Sequence, residues 1–353
     1  MKKSDNMKKK AAKLTIIIVT IFVSVFIIEL FAPTWTPKIK GNNSISELRK
    51  VEINGVDIEL MIRGKNKDNQ VVIFVHGGPC CSEIPYARKY QSTLEENFTV
   101  VHYDQRGSGK SYEFGKDYSD VTVSDHVNDL IAFTQYISTY LHKDKVILLG
   151  HSYGTYIAAM AASQHPEMYI AYVGIGQMSD TIESELDGLE RCIEAAENVG
   201  NKGDVTKLRA LTDSISRGEA ITPRKYIRKY GFAARQINDN ADYWTGYFFG
   251  TEYNLTDAIR LYTASSKYQD ALILEALNNP ITKIVKGFDI PVYFVMGKYD
   301  GMTSPKAAEK YLNSLSGEAI HEIVVFENSA HYPQFEEPDK FNEWMCSVFG
   351  KGD

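Results

Sequence analysis

Three side chains have the types, and the order along the chain, to build an acyl-transfer centre: Ser152, Asp300 and His331. Ser152 is the middle of Gly150-His151-Ser152-Tyr153-Gly154, which follows a short apolar run at 146–149 and precedes an Ala-rich stretch at 156–164. A G-x-S-x-G between strand and helix makes a turn so tight that its neighbours must be small, and it lifts the hydroxyl clear of the sheet. A serine hydroxyl is a poor nucleophile until a base takes its proton, and that base needs a carboxylate to orient it. Asp300 closes Gly297-Lys298-Tyr299-Asp300 just after the strand-like run 291–296, on the rim where parallel strands present their carboxyl ends. His331 lies on a loop after the last such run, 320–326, and can swing over the same rim. Asp270, Asp289 and His321 precede their strands, and His102 and His142 have no such placement. The oxyanion donors are expected from the backbone N–H groups of Gly78, in His76-Gly77-Gly78-Pro79, and of Tyr153. His76 is read as a structural hydrogen-bonder of that loop.

These groups need a sheet whose strand ends share one rim. Residues 47–53 and 56–63 flank Asn54-Gly55, a hairpin signal. Nearly continuous apolar runs follow at 71–75, 99–103, 146–149 and 169–175, as expected of strands covered on both faces. Val127, Leu130, Ile131, Phe133, Thr134, Ile137 and Leu141 have helical spacing, which predicts a helix over 124–141. Strand–helix alternation of this kind gives an α/β fold with a mostly parallel central sheet flanked by helices. The alternation stops over 178–287, which is charged, aromatic and helix-like, with breaks at Gly200-Asn201 and Asn238-Asp239-Asn240. This stretch is expected to form a helical cap, splitting the core into 45–177 and 288–353, and a last helix fits 338–349.

The 353-residue chain can bury a large core, and its net charge of -6 offers no basic surface for nucleic acid. Lys2, Lys3, Lys8, Lys9, Lys10 and Lys13 make residues 1–13 a basic flank to an apolar run at 14–32, interrupted only by Glu29. At 1.5 Å per residue that run just crosses a hydrocarbon layer of about 30 Å. It is expected to be a transmembrane anchor with a cytoplasmic N-terminus and an extracytoplasmic catalytic domain, joined by a tether at 33–44. A cleaved signal, leaving a secreted protein, is the rival reading; Pro33 after Ala32 makes a poor cleavage site. Cys80, Cys81, Cys192 and Cys346 have no zinc-like spacing and read as free thiols, with a disulfide open in an oxidising compartment.

Taken in order, His76-Gly77-Gly78-Pro79, the Asp104-Gln105-Arg106-Gly107-Ser108-Gly109 segment, the Ser152 pentapeptide, Gly297–Asp300 and Ala330-His331 resemble the proline iminopeptidase branch of the α/β-hydrolases. The resemblance covers about 45–177 and 288–350. It implies the α/β-hydrolase fold, no metal or organic cofactor, and an architectural role for the Asp104–Gly109 segment. Two departures stand out. Cys80 occupies the place of the family's last glycine in H-G-G-P-G. The family's W-x-x-W-E segment, near which acidic cap residues recognise the substrate ammonium, is missing; Tyr243-Trp244-Thr245-Gly246-Tyr247-Phe248 is its nearest analogue. Glu183, Asp187 and Glu190 recur at helical spacing where a cap would enter, either facing the site or forming an exposed acidic face. Tyr243 and Trp244 could wall a pocket or pack the cap. Three readings follow: an aminopeptidase releasing N-terminal residues from short peptides, an esterase or amidase on small neutral acyl substrates, and a catalytically silent membrane-tethered binding protein.

Overall fold

The computed structural model describes residues 2–350; Met1 and residues 351–353, the outer ends of the expected basic flank and core, lie outside the described residues. Strands β1 (Ile45–Ile53) and β2 (Val56–Gly64) form the hairpin, with positive φ at both Asn54 and Gly55, the backbone a two-residue turn of this kind requires. Six more strands follow: β3 (Gln70–Val75), β4 (Phe98–Tyr103), β5 (Val146–His151), β6 (Tyr169–Ile175), β7 (Val292–Gly297) and β8 (His321–Phe326). They form one eight-stranded sheet in the order β1-β2-β4-β3-β5-β6-β7-β8. β2 pairs antiparallel with β1 and β4, and every pairing from β4 to β8 is parallel.

The apolar runs alternate faces although they read as continuous. Val71, Ile73 and Val75 of β3, with Val146 and Leu148 of β5, pack under the helices Val123–Tyr140 and Tyr153–Gln164. Val72, Phe74, Ile147 and Leu149 pack on the other face with Phe341, Met345 and Phe349 of the last helix, Pro338–Phe349. Each such fully buried aliphatic side chain stabilises the fold by roughly 1.5–3 kcal/mol relative to exposure. The sheet is thus the middle of a three-layer core whose strand ends hold the loops described below.

Between β6 and β7 the chain is helical, in segments Thr181–Asn198, Lys202–Arg209, Thr212–Ser216, Arg224–Lys229, Asp239–Phe249, Leu255–Asn278 and Ile281–Ile284. Asn201 and Asn238, flagged above as breaks, are N-caps whose side chains accept from Asp204 and Ala241 N–H. At the other end of the chain a helix runs over Lys2–Phe31; its part Lys10–Phe31 is long and apolar enough to cross a membrane and buries none of its apolar window. The tether does not hang free. Trp35 N–H donates to Thr251 O at 2.8 Å, and Arg63 donates to Thr36 Oγ1 and Pro37 O at 2.6 and 2.7 Å.

Candidate active site

The end of β5 and the start of the helix Tyr153–Gln164 leave room for a single residue, Ser152, at φ 54° and ψ −123°. A side chain other than glycine is rarely held in this backbone region, and such strain persists only where surrounding structure imposes it. Here Ser152 N–H donates to Ile175 O of β6 at 2.9 Å, and the helix packs so close that a Cβ on Gly154 would lie 2.0 Å from Val75 O. Ser152 lies at the helix N-terminus, where N–H groups lack intrahelical partners and the dipole favours negative charge.

His331 and Asp300 come from the loops after β8 and β7. His331 Nδ1 lies 2.8 Å from Asp300 Oδ2, and both residues are buried. Asp300 also accepts from the N–H groups of Met302 and Thr303, at 2.8 and 3.0 Å, and from Thr303 Oγ1 at 2.7 Å. Burial alone would raise the Asp300 pKa. The charge and hydrogen bond of His331, with the Thr303 donors, outweigh it and hold the carboxyl below its ordinary range. The His331 loop is stapled to the helical segment: His331 N–H donates to Ala233 O at 3.0 Å, and Glu336 receives Ala330, Arg235 and Gln236 N–H.

Ser152, Tyr153, Gly78 and His331 line one cavity of about 320 Å³ between the sheet rim and the helices above it. The Cys80 backbone keeps a positive φ of 64°, so the loop holds the left-handed conformation that a glycine would take more easily. All four cysteines are free, and Cys81 is the one that faces the cavity. His76 lies behind the loop. Its Nε2 accepts from Gln105 N–H at 3.1 Å, which leaves Nδ1–H to donate to Gly77 O at 2.9 Å. Burial drives its pKa down to about 3, so the neutral imidazole serves as a brace. The Asp104–Gly109 segment braces as well, through Arg106 paired with Asp129 at 2.7 and 2.8 Å.

Of the other expected residues, Tyr243 lines the cavity, edge-on to Tyr86 at 4.9 Å. Trp244 faces outward, stacked on Phe248. The structure does not bring Glu183 or Asp187 to the cavity either: Glu183 pairs with Lys310 at 2.8 Å and Asp187 with Arg191 at 3.0 Å. The physical reason is helix phase. Ser184, Gly188, Leu189, Cys192 and Ala196 form the buried stripe of Thr181–Asn198, and the carboxylate on that stripe is Glu185.

Sequence reasoning missed six polar groups of the wall. Glu185 is held by Arg224 at 2.6 and 3.0 Å, and Asp239 by Arg228 at 3.0 and 3.1 Å. Glu83 Oε1 lies 2.5 Å from His151 Nδ1, and His151 Nε2 lies 2.9 Å from the carbonyl oxygen of His331. A chain therefore runs from Glu83 through His151 to the backbone of His331, all of it buried. Burial pulls the His151 pKa down, but the charge and hydrogen bond of Glu83 more than offset it and raise it. Asp270 also lines the cavity and has no ion pair among the described residues. The only sequence signal for Glu83 was its place three residues beyond Cys80 in the loop after β3.

This sheet order, with the serine after β5, the acid after β7 and the histidine after β8, is the layout of an α/β-hydrolase. A family model described as the alpha/beta hydrolase family matches residues 72–344, and the chain belongs to that family. Over 315 residues it is 28% identical to the probable aminopeptidase YbaC of Bacillus subtilis, covering 86% of this chain and 96% of that one. It is 24% identical over 305 residues to a proline iminopeptidase of Saccharolobus solfataricus, covering 82% and 88%. The crystal structure of a proline iminopeptidase-related protein from Thermus thermophilus matches with a TM-score of 0.56 at 20% identity, over 86% of this chain and 98% of that chain, a likeness of fold.

Proposed function

We propose that this protein is a membrane-anchored serine hydrolase that releases N-terminal residues from short peptides through an acyl-enzyme on Ser152. The observation that carries the reading is the buried His331–Asp300 pair, at 2.8 Å, whose histidine lines one cavity with a serine held at positive φ. In this mechanism Ser152 Oγ attacks the scissile carbonyl while His331 Nε2 takes its proton. Asp300, kept ionised by its depressed pKa, holds Nδ1–H and stabilises the imidazolium. The N–H groups of Gly78 and Tyr153 bind the oxyanion; a donor of this kind contributes about 3–4 kcal/mol to transition-state stabilisation. His331 then protonates the leaving amine and activates the water that frees Ser152.

The helical segment 178–287 acts as the cap. Among its carboxylates on the wall, Glu185 and Asp239 are neutralised by Arg224 and Arg228, which leaves Asp270 to receive the substrate ammonium. Asp270→Asn is expected to raise KM for free-amine substrates by up to about 5-fold and to leave amine-blocked ones unchanged, since Asp270 is exposed and an exposed ion pair is worth about 0.2–1 kcal/mol. The relatives described as aminopeptidases support this substrate class. The apolar wall of Met178, Ile221, Ile273, Leu277 and Met302 favours a second reading, an esterase or amidase for small neutral acyl groups. The helix Lys10–Phe31 supports the anchor, with the basic flank in the cytoplasm and the catalytic domain outside.

The test uses the full chain on three substrates: a proline amide of a fluorogenic amine, the same amide acetylated, and a short-chain nitrophenyl ester. Cleavage of the free-amine amide, abolished by acetylation, is the expected result. Turnover of the ester alone, or indifference to acetylation, replaces the aminopeptidase reading with the second one.

A further inference from the structure

The cap helix Asp239–Phe249 has two aromatic sides. Tyr243 and Tyr247, four residues apart, turn inward, Tyr243 onto the cavity and Tyr247 into the packing against Met61 and Ile84. Trp244 and Phe248, also four apart, stack on each other and face solvent. Phe249 beside them is 84% exposed, and Trp244 is 50% exposed. Tyr262 of the next helix, Leu255–Asn278, approaches Trp244 at 6.0 Å and is exposed, as is Ile259 one turn before it. Trp35, 54% exposed, is bonded through its N–H to Thr251, two residues after Phe249. Scattered exposed apolar residues need no explanation, but a contiguous aromatic face of this kind marks a binding surface.

What lies beside this face identifies its partner. The last carbonyls of an isolated helix have no intrahelical donors. Those of the apolar N-terminal helix and the residue after it are taken up here by the cap: Thr256 Oγ1 donates to Leu30 O at 2.5 Å, and Asn254 Nδ2 donates to Ala32 O at 2.9 Å. The start of Leu255–Asn278 is therefore fixed to the end of the apolar helix, and Ile259 lies on the same helical face as Thr256, one turn on. If Lys10–Phe31 spans a bilayer, its end at Phe31 sets the height of the bilayer surface, and the aromatic face sits at that height. Trp, Tyr and Phe side chains suit the headgroup level, where amphipathic rings partition.

We infer that the outer face of the cap, Trp244, Phe248, Phe249, Ile259 and Tyr262 with Trp35, is seated in the phospholipid headgroup–acyl boundary, so that the helix walling the cavity with Tyr243 rests on the membrane. The inference rests on the anchor reading above and goes beyond it: the anchor alone would allow the catalytic domain to stand off the bilayer. The substrate would then reach the cavity beside the lipid surface, which favours peptides or acyl compounds that collect there.

The experiment uses the full chain reconstituted in phosphatidylcholine vesicles, with and without acyl chains brominated near the headgroup end. Tryptophan fluorescence is read after flotation in high salt. The chain has three tryptophans, and Trp344 is packed against Tyr293 and Phe349 beneath the sheet. The expected result is that brominated lipid quenches the wild type, and that Trp244→Phe, a mild change at an exposed site, loses a distinct share of the quenched intensity. Trp344→Phe should keep that intensity whole. Flotation with quenching unaltered by Trp244→Phe would overturn the seated cap and leave the anchor standing, with a second copy or another protein on this face. Failure to float would remove the anchor reading and this inference with it.

Discussion

At the scale of residues, the candidate site holds buried charge against fixed hydrogen-bond donors. Asp300 is satisfied from several sides, and His331 is tied to it through Nδ1, which leaves Nε2 for the proton transfer proposed. The Glu83–His151 pair supports that arrangement from behind, through the carbonyl of His331. Its effect has a definite sign with pH. A histidine whose folded pKa is raised stabilises fully below its ordinary value of about 6.5 and loses that contribution as pH rises through the raised value. Glu83→Gln should therefore flatten the decline of Tm with rising pH that the wild type shows above about pH 6.5. It should also lower kcat by up to about 100-fold with little change in KM, because a misplaced base costs rate more than binding. Melting curves across pH 5.5–9 alongside steady-state kinetics check both; equal slopes in the two proteins would assign Glu83 a purely steric role. The strand-end positions of Ser152, Asp300 and His331 were legible in the sequence because each follows a strand in a recognisable local pattern. Glu83 and His151 were not, because the x of a G-x-S-x-G carries no pattern and its partner lies 68 residues away.

At the scale of elements, the core strands, the long helices and the helical character of 178–287 were readable, but the inward faces of those inserted helices were not. Hydrophobic runs place β3 to β8 to within a residue or two, and the periodicity over 124–141 finds Val123–Tyr140. In the cap, charged and aromatic residues mix on every face, so which side turns inward is decided by tertiary packing. Helical spacing grouped Glu183, Asp187 and Glu190 correctly on one face, but the buried stripe through Leu189 and Cys192 selects Glu185 instead. Junctions between elements also fix the chemistry. Gly176, just after β6, has φ +54°, and a Cβ there would come within 2.9 Å of His331 Cε1 and Nδ1. Gly176→Ala is expected to push the imidazole off line and cut kcat about 100-fold, while costing only about 1–2 kcal/mol of stability for the left-handed backbone. Kinetics and chemical denaturation on the same preparation check this. Full activity would mean that the His331 ring has more freedom than the packing allows.

For the whole molecule, the question is how the catalytic core is carried. The N-terminal helix was legible as an apolar run behind lysines, interrupted only by Glu29. What the sequence could not convey is that the tether is docked: Thr34 receives Lys110 Nζ at 2.8 Å, and Thr36 bridges Arg63 and Glu252. Those contacts join residues far apart in the chain and follow no local pattern. On the proposed anchor, a docked tether would make the orientation of the core on the membrane a property of the fold. Lysines ahead of the apolar run predict the core outside the cytoplasm. A C-terminal alkaline phosphatase fusion should be active, and a fusion to a reporter that works only in the cytoplasm should be silent. The reverse pattern would invert the topology.

The central claim is that Ser152 forms an acyl-enzyme. The most direct measurement is mass spectrometry of the full chain quenched during turnover of a nitrophenyl ester, with peptide mapping of the adduct. The account predicts one acyl group on the peptide containing Ser152, absent in Ser152→Ala, whose turnover falls by about 10⁴-fold or more. An adduct on Cys81 instead, or turnover undiminished in Ser152→Ala, would contradict it.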